Sequence, residues 1–512
     1  MRVLIAALHN GYYRNLESVV DELARRGHQI FLGSERPVSA LGGQSIVERL
    51  AEAHKGVSHG TVRWREQRTR FLATKVRLAL DYLRYLEPAY ADASSLRQRA
   101  VVRTPVGLVW LVERGPGRPP AVRRLIARAL DSIDRALPPS PDIERFLDEQ
   151  RPDAVIITPL IGLVPSSQLD LLRSAQARGI PTAVCVWSWD HLSSKAIIRD
   201  APDRLFVWND TQKNEAMTMH GIEAERIIVT GAQNFDRWFG RQPSRSRAAF
   251  AGDVGLPDDR PFVLWVCSAL FPGSPSEAEF VMRWAAHLRA SADPRVRDVN
   301  ILIRPHPSRG KEWEQVDWRR LGRVAFRGGN PIDAESRADY FDSLHHSAAV
   351  VGLNTSAFIE AGIVGRPVMT ILPEEFRANQ EGTLHFGYLM NVGGGLLTSA
   401  RTLEDHERQL VEMLAGPPEA VLERQRRFVT AFVRPHGLDV SATTLMVEAV
   451  EALGASAPVR LSRGVGAGAR LGLRALRAIE RVPAGRRLLL DEREVRAKKR
   501  RAAEEHRAVS WG

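Results

Sequence analysis

The sequence predicts an α/β protein of two Rossmann-like domains, each a doubly wound parallel sheet, facing one another across a cleft. Three observations predict it. Short aliphatic runs alternate with amphipathic helical segments from Val3 to Gly231, and do so again from Phe262 to about Leu453. A polar, arginine-rich stretch from Asn234 to Asp259 separates the two series and reads as a linker. Several aliphatic runs break off into loops carrying Asn, Ser, Thr and His, at the strand edge where open α/β sheets bind ligands.

In the first series, Val3 to Leu8 reads as a strand, Arg14 to Arg26 as an amphipathic helix and His28 to Leu32 as the next strand. The intervening turn, HNGYYRN, lacks the glycine-rich dinucleotide fingerprint, which argues against a nicotinamide or flavin enzyme. The strand signal fades between about Ile46 and Leu147. There Arg68 to Tyr90 and Ala121 to Leu137 show apolar residues at helical spacing with a basic opposite face, around a loop at Arg114 to Pro120. This is a helical insertion, at about 60–137, in an N-terminal domain spanning 1–240. Alternation resumes with DAVIIT at Asp153, a helix near Gln168 to Arg178, then TAVCVW, RLFVWN, a helix to His220 and RIIVTG. That makes six strands, and right-handed crossovers require both faces of the sheet to be covered.

The second series reads FVLWVC, VNILI, RVAF, AAVVGL, PVMTIL and GGLLT, with helices from Leu403 onward closing a domain at 258–453. The remainder, 454–512, is a basic tail. Its segment VGAGARLGLRALRAIERV has the pattern of a basic amphipathic helix. Two readings stay open for it: a disordered, solubilising extension, or a helix for an anionic membrane surface or acidic partner.

Composition sets bounds. At 512 residues, 44% hydrophobic and 26% charged, the chain fits a soluble protein of two or three domains. Of 72 basic residues, 65 are Arg and 7 Lys, a compositional bias rather than a nucleic-acid signal. The tail holds fifteen basic against six acidic residues, so +9 of the net +12 lies there and the body carries only +3. That excludes a DNA-binding body, and no nucleic-acid partner is expected. Cys185 and Cys267 sit in apolar runs as small buried hydrophobes, which fits a reducing compartment. The N-terminal apolar run is too short for a signal peptide, and no run of about 18 apolar residues occurs. A cytoplasmic protein is expected.

The candidate site residues stand at strand ends. VNILI ends in Arg304-Pro305-His306-Pro307, a rigid turn offering a cation and an imidazole. AAVVGL ends in Asn354-Thr355-Ser356, where a helix starts and free N–H groups with two hydroxyls suit an anion. Glu360, one turn on, could accept from ribose hydroxyls. Asn379, Gln380 and Glu381 follow the next strand and form either a substrate contact or an ordinary polar loop. On the N-terminal side, His9 ends the first strand and Asp190 follows TAVCVW; either could deprotonate an acceptor hydroxyl. Trp187 and Trp189 beside Asp190 are sugar-stacking or core residues.

The segment GIEAERIIVTGAQNFD (Gly221 to Asp236), RPHP and TSAFIEAGIVGRPV resemble GT-B-fold glycosyltransferases, over roughly 1–450 and best over 153–372. The chain looks closest to bacterial envelope-polysaccharide enzymes: CDP-glycerol glycerophosphotransferases, Kdo- and sialyltransferases, and non-hydrolysing UDP-GlcNAc 2-epimerases. The resemblance implies that His306 and the Thr355–Ser356 pair hold the phosphates of a nucleotide-activated donor, with a glycan or lipid-linked acceptor. It implies no cofactor and no metal, and it leaves peripheral contact with an anionic membrane open. The chain departs from these families in three ways. It has one acid, Glu360, where the epimerases carry a glycine-rich, doubly acidic segment. The aspartate-rich stretch of sialyltransferases is not evident, and no D-x-D metal motif appears. The alternatives are an epimerase or hydrolase on the same fold, or a non-catalytic scaffold.

Overall fold

The computed structural model describes residues 1–36, 44–91, 94–160, 164–195, 197–456 and 466–497. The first sheet contains β1 (Arg2–His9), β2 (Gln29–Arg36), β3 (Val57–Thr61), β4 (Ala154–Thr158), β5 (Thr182–Cys185), β6 (Arg204–Val207) and β7 (Ile227–Val229). The second contains β8 (Phe262–Val266), β9 (Asn300–Arg304), β10 (Val324–Phe326), β11 (Ala349–Gly352), β12 (Val368–Ile371) and β13 (Thr398–Ala400). Their orders are β3-β2-β1-β4-β5-β6-β7 and β10-β9-β8-β11-β12-β13, with every pairing parallel. Each sheet reverses direction beside its first strand, between β1 and β4 and between β8 and β11. Ligand sites in doubly wound sheets form at that reversal. The central strands are aliphatic throughout because helices cover both faces; every residue of β4 and β8 is buried.

Three sequence expectations change. The first sheet has a seventh strand, β3, whose sequence VSHGT gave no apolar signal because it lies at the edge and exposes Ser58 and His59. The expected linker contains the helix Arg247–Val254, capped by the Ser246 side chain, and it buries Phe250 in the second domain's core. Asp342 also accepts from the Ser244 backbone at 2.8 Å, so this stretch belongs to the second domain. The last closing helix, Ala442–Gly454, returns to the first domain. There Met446, Val447, Val450 and Leu453 share a core with Val3, Ile5 and Ala7. Cys185 lies in that same core and Cys267 in the second domain's; both thiols are buried and free.

The chain therefore crosses between the domains twice, and the crossings meet. Asp236 on the outgoing strand accepts from Arg434 at 2.7 Å, from the Ser441 hydroxyl at 3.0 Å and from the Thr443 N–H at 2.6 Å on the return. The contact is close enough to need glycine. Gly231 has φ +85°, and a Cβ there would stand 2.8 Å from that of Ala442.

The insertion is helical, with helices Gln67–Arg84, Ser94–Val101, Val106–Glu113 and Pro120–Arg135. Its attachment to the sheet is ionic. Arg77 binds Asp134 (2.8 Å) and Asp170 (2.6 Å), Arg65 binds Asp170 (3.0 Å), and Arg173 joins Asp134 to Asp200 at 2.8 and 2.5 Å. The expected basic outer face of the first insertion helix is thus partly internal. The tail is ordered over its described part, with helices Ala467–Arg481 and Pro483–Leu489 docked on the insertion. Lys75 holds Asp491 at 2.9 Å, and the Val106 N–H donates to Leu490 O at 2.9 Å.

Candidate functional site

The carboxyl ends of both sheets face one cleft, bridged at its margins by Arg337 to Glu17 (2.5 Å), by Trp189 edge-on to His385 (4.8 Å) and by a Tyr388–Glu215 hydrogen bond. On the N-terminal side β1 ends at His9, and Asn10–Asn15 form a tight 3-10 turn. Two buried side chains pin this turn. The Tyr13 hydroxyl lies 2.8 Å from the carbonyls of Ile5 and Gly33, and Asn10 bonds both Ser34 and Gln44. The turn so fixed carries Tyr12 against the His9 ring (4.4 Å) and sets Arg14 where its charge acts on His306 and Glu360 of the other domain. Burial pushes the Arg14 guanidinium below its ordinary range, opposed by Glu360. Burial also pushes His9 down to about 4, helped by Arg14 and Arg36, so it is neutral at pH 7. Its Nδ1 is buried without a partner among the described residues.

On the C-terminal side, β9 delivers Arg304 and His306. Arg304 is buried, binds Asp339 at 2.8 Å and lies 5.2 Å over the Tyr340 ring, so its charge is committed to the protein. His306 caps the following turn: its Nδ1 accepts the Ser308 N–H at 3.2 Å. A backbone N–H can only donate, so the neutral imidazole carries its proton on Nε2. Burial, Arg14 and Arg309 hold the His306 pKa below its usual value. His306 is therefore a neutral ring that offers one N–H donor.

After β11, the Thr355 hydroxyl accepts the Ala357 N–H at 3.4 Å, and Ser356 is exposed with no capping bond of its own. The helix that follows, Ala357–Ile363, has seven residues, so its dipole is short and the two hydroxyls matter more than the axis. Glu360 accepts from the Tyr340 hydroxyl at 2.5 Å, and burial pushes its carboxyl up against the pull of Tyr340, Arg237 and Arg14. Across the cleft, the fold sets His306 and Glu360 within reach of the charge of Arg14, on the turn that begins at His9.

Other expected residues have different tasks. The Asn379 side chain binds the Phe271 N–H (2.8 Å) and Ser274 (2.8 Å), and its carbonyl takes the Asn354 amide, so Asn354 and Asn379 fasten loops to each other. Gln380 is buried and donates to the carbonyls of Leu353 (3.0 Å) and Ile371 (2.8 Å), joining the ends of β11 and β12. Glu381 pairs with Arg401 on the surface at 2.8 Å. For this trio the ordinary-loop alternative is the one the geometry fits, because Asn379 and Gln380 fasten loop backbone and Glu381 pairs with a surface arginine. Asp190 does lie toward the cleft, but Lys195 and Ser194 (each 2.8 Å) and Ser188 hold it as a carboxylate. Burial opposes that charge, yet Lys195 and His385 keep its pKa well below the usual carboxylate range, which makes it a poor base. Its neighbour His191 is buried, and desolvation pushes it down to about 3.

Sequence reasoning passed over Arg14, Tyr340, Arg337 and Arg237. Arg14 carried a usable signal, since the turn after β1 faces the cleft by the same rule that singled out RPHP. Arg337 and Tyr340 lie within the helix Ala334–His345 and offer no comparable pattern. Together Arg14, Arg237 and Arg337 face Glu17 and Glu360, an excess of positive charge in a partly desolvated cleft.

No protein-family model and no curated protein sequence matches the chain. Among solved structures it is similar to a glycosyltransferase from Rickettsia africae, with 10% identity, TM-score 0.50, and coverage of 88% of this chain and 98% of that one. It is also similar to UDP-GlcNAc 2-epimerase from Neisseria meningitidis bound to UDP-GlcNAc (11% identity, TM-score 0.49, 88% and 100%) and to WaaG, a glycosyltransferase of lipopolysaccharide biosynthesis (11%, 0.44, 89% and 100%). At such identities the likeness shows the fold alone. The first of these carries it: the chain has a GT-B-like architecture of two parallel-sheet α/β domains.

Proposed function

We propose that the protein is a GT-B-type transferase. It moves a sugar, or a polyol phosphate, from a nucleotide-activated donor to a hydroxyl of a glycan or lipid-linked acceptor in bacterial surface polysaccharide assembly. One observation carries the reading: Arg14 of one domain lies within electrostatic reach of His306 and Glu360 of the other, where both sheets reverse. The donor diphosphate sits between Arg14, the His306 Nε2–H and the Thr355 and Ser356 hydroxyls, and Glu360 accepts from the ribose.

In the sugar-transfer reaction the acceptor oxygen bonds to the anomeric carbon while the bond from that carbon to the phosphate oxygen breaks. The electron pair leaves on the nucleoside diphosphate. Arg14 and His306 stabilise the negative charge that develops there, and fixed donors in a dry cleft do this best. His9, neutral at pH 7, takes the acceptor proton; its low pKa makes it a weak base that acts late, once the oxygen is already bonding. Arg14 supplies the positive charge and the neutral His306 imidazole a hydrogen-bond donor, so the reading includes no metal, and transfer should persist in EDTA.

The test is a thermal-shift series with CMP, CDP, UDP, GDP and dTDP on wild type, Arg14→Gln and His306→Gln. A cognate nucleotide at 100 times its Kd stabilises by about 2.7 kcal/mol, and both variants should lose that shift while keeping their unliganded Tm. No shift with any nucleotide sinks the proposal in favour of a scaffold. Conversion of the nucleotide sugar without acceptor would move it to the epimerase or hydrolase class.

A further inference from the structure

We propose that the insertion and the tail form one surface that lies on an anionic lipid bilayer. Of the eight large hydrophobic side chains that stand exposed among the described residues, six lie on this one assembly: Trp110, Leu125, Leu471, Ile479, Val482 and Leu488. The elements that carry them pack together, the Ala467–Arg481 helix on Pro120–Arg135 and the Pro483–Leu489 helix on Val106–Glu113. The closest approach is at Gly472, where a Cβ would lie 2.9 Å from the Ile133 side chain.

Docking uses only part of the apolar surface of the tail helix. Leu473, 7% exposed, faces inward with Gly472. A second stripe remains outside. Ala467, Leu471, Ala475, Ala478 and Val482 recur at steps of four, four, three and four residues, and all are exposed. Arg470, Arg474 and Arg481 border that stripe along one side.

Charge selects the occupant. Across 114–135 and 466–489 every exposed ionisable side chain is an arginine, ten in all, and the acids there, such as Asp131, Asp134 and Glu480, are half-buried or buried. A groove of about 1130 Å³ runs beside it, lined by Arg477, Arg481, Arg486 and Arg487 opposite Pro138 and Pro139, with Glu66 and Glu480 among its other walls. Arginines beside an exposed aliphatic and tryptophan surface match an interface whose outer layer is anionic and whose next layer is hydrocarbon. An RNA or acidic glycan would use the arginines and gain nothing from the leucines. The inference stands apart from the reaction proposed above, because it rests on different residues.

The test is co-sedimentation of the full chain with vesicles of phosphatidylcholine alone or mixed with phosphatidylglycerol, at fixed salt. The expected result is binding to the mixed vesicles and little to the neutral ones. Arg128→Gln/Arg474→Gln should weaken it by about 25-fold, roughly fivefold per arginine. Leu125→Ser/Leu471→Ser/Val482→Ser, which leaves the charge unchanged, should weaken it about tenfold or more. Unchanged Tm and an unchanged response to nucleotide certify that each variant is folded. Absence of binding to mixed vesicles overturns the proposal. So does binding that the serine variant leaves intact, which would assign the arginines to a soluble polyanion.

Discussion

Two helices of this protein have nearly the same pattern, arginine-rich with an apolar face, and the fold treats them oppositely. In Gln67–Arg84 the cations Lys75, Arg77 and Arg84 are all under 10% exposed, each engaged by carboxylates or backbone carbonyls. In Ala467–Arg481, Arg470, Arg474 and Arg481 are exposed. The difference lies in the partners. The first helix meets Asp134, Asp170 and Asp491; no aspartate is near the outer face of the second among the described contacts. A charge pattern along one helix does not say which way that helix faces; the carboxylates on its neighbours do.

The comparison can be broken from either end. The largest effect is expected for Arg77→Ala, which leaves Asp134 and Asp170 buried with half their counter-charge. Such a loss costs about 3–5 kcal/mol, readable as a fall in urea midpoint. Acid should open the same joint. Arg77 and Arg65 overcome the desolvation of Asp170 and hold it well below the ordinary 3.8. The unfolded chain therefore binds a proton before the folded one does. This carboxylate's stabilisation is complete above its ordinary value and is lost as pH falls through the depressed one. Thermal melts taken downward from about pH 5 should show Tm falling steeply in that window, and Asp170→Asn should flatten the slope. The smallest effect belongs to Arg474→Gln, which should move the Tm by less than the equivalent of about 0.5 kcal/mol. A larger loss would mean that the outer arginines are structural too.

Much of this architecture was legible, and the reason is local. The strands of the second domain are aliphatic on both faces, so their signal survives without knowledge of tertiary contacts. β3 was not legible because an edge strand needs only Val57 buried. Within the candidate site, His306, Thr355, Ser356 and Glu360 could be singled out because a strand end followed by polar residues is a positional signal. Asn379 and Gln380 carry that same signal and serve loop architecture instead, since a backbone carbonyl and a ligand phosphate both attract an amide. Arg14 was readable by position but looked like an ordinary turn residue. The return of Ala442–Gly454 to the first domain could not be read, because its apolar face would fit either core.

That return has a mechanical consequence. Two strands of chain pass between the lobes at one place, tied by the Asp236 carboxylate and by the Ala232 N–H to the Val433 carbonyl at 2.8 Å. Joined by one strand, the lobes could twist, slide and separate; joined by two adjacent strands, they keep essentially one freedom, a swing about the line through the joint. A donor held on one lobe and an acceptor on the other then search an angle rather than a volume, and each opening returns them to the same alignment.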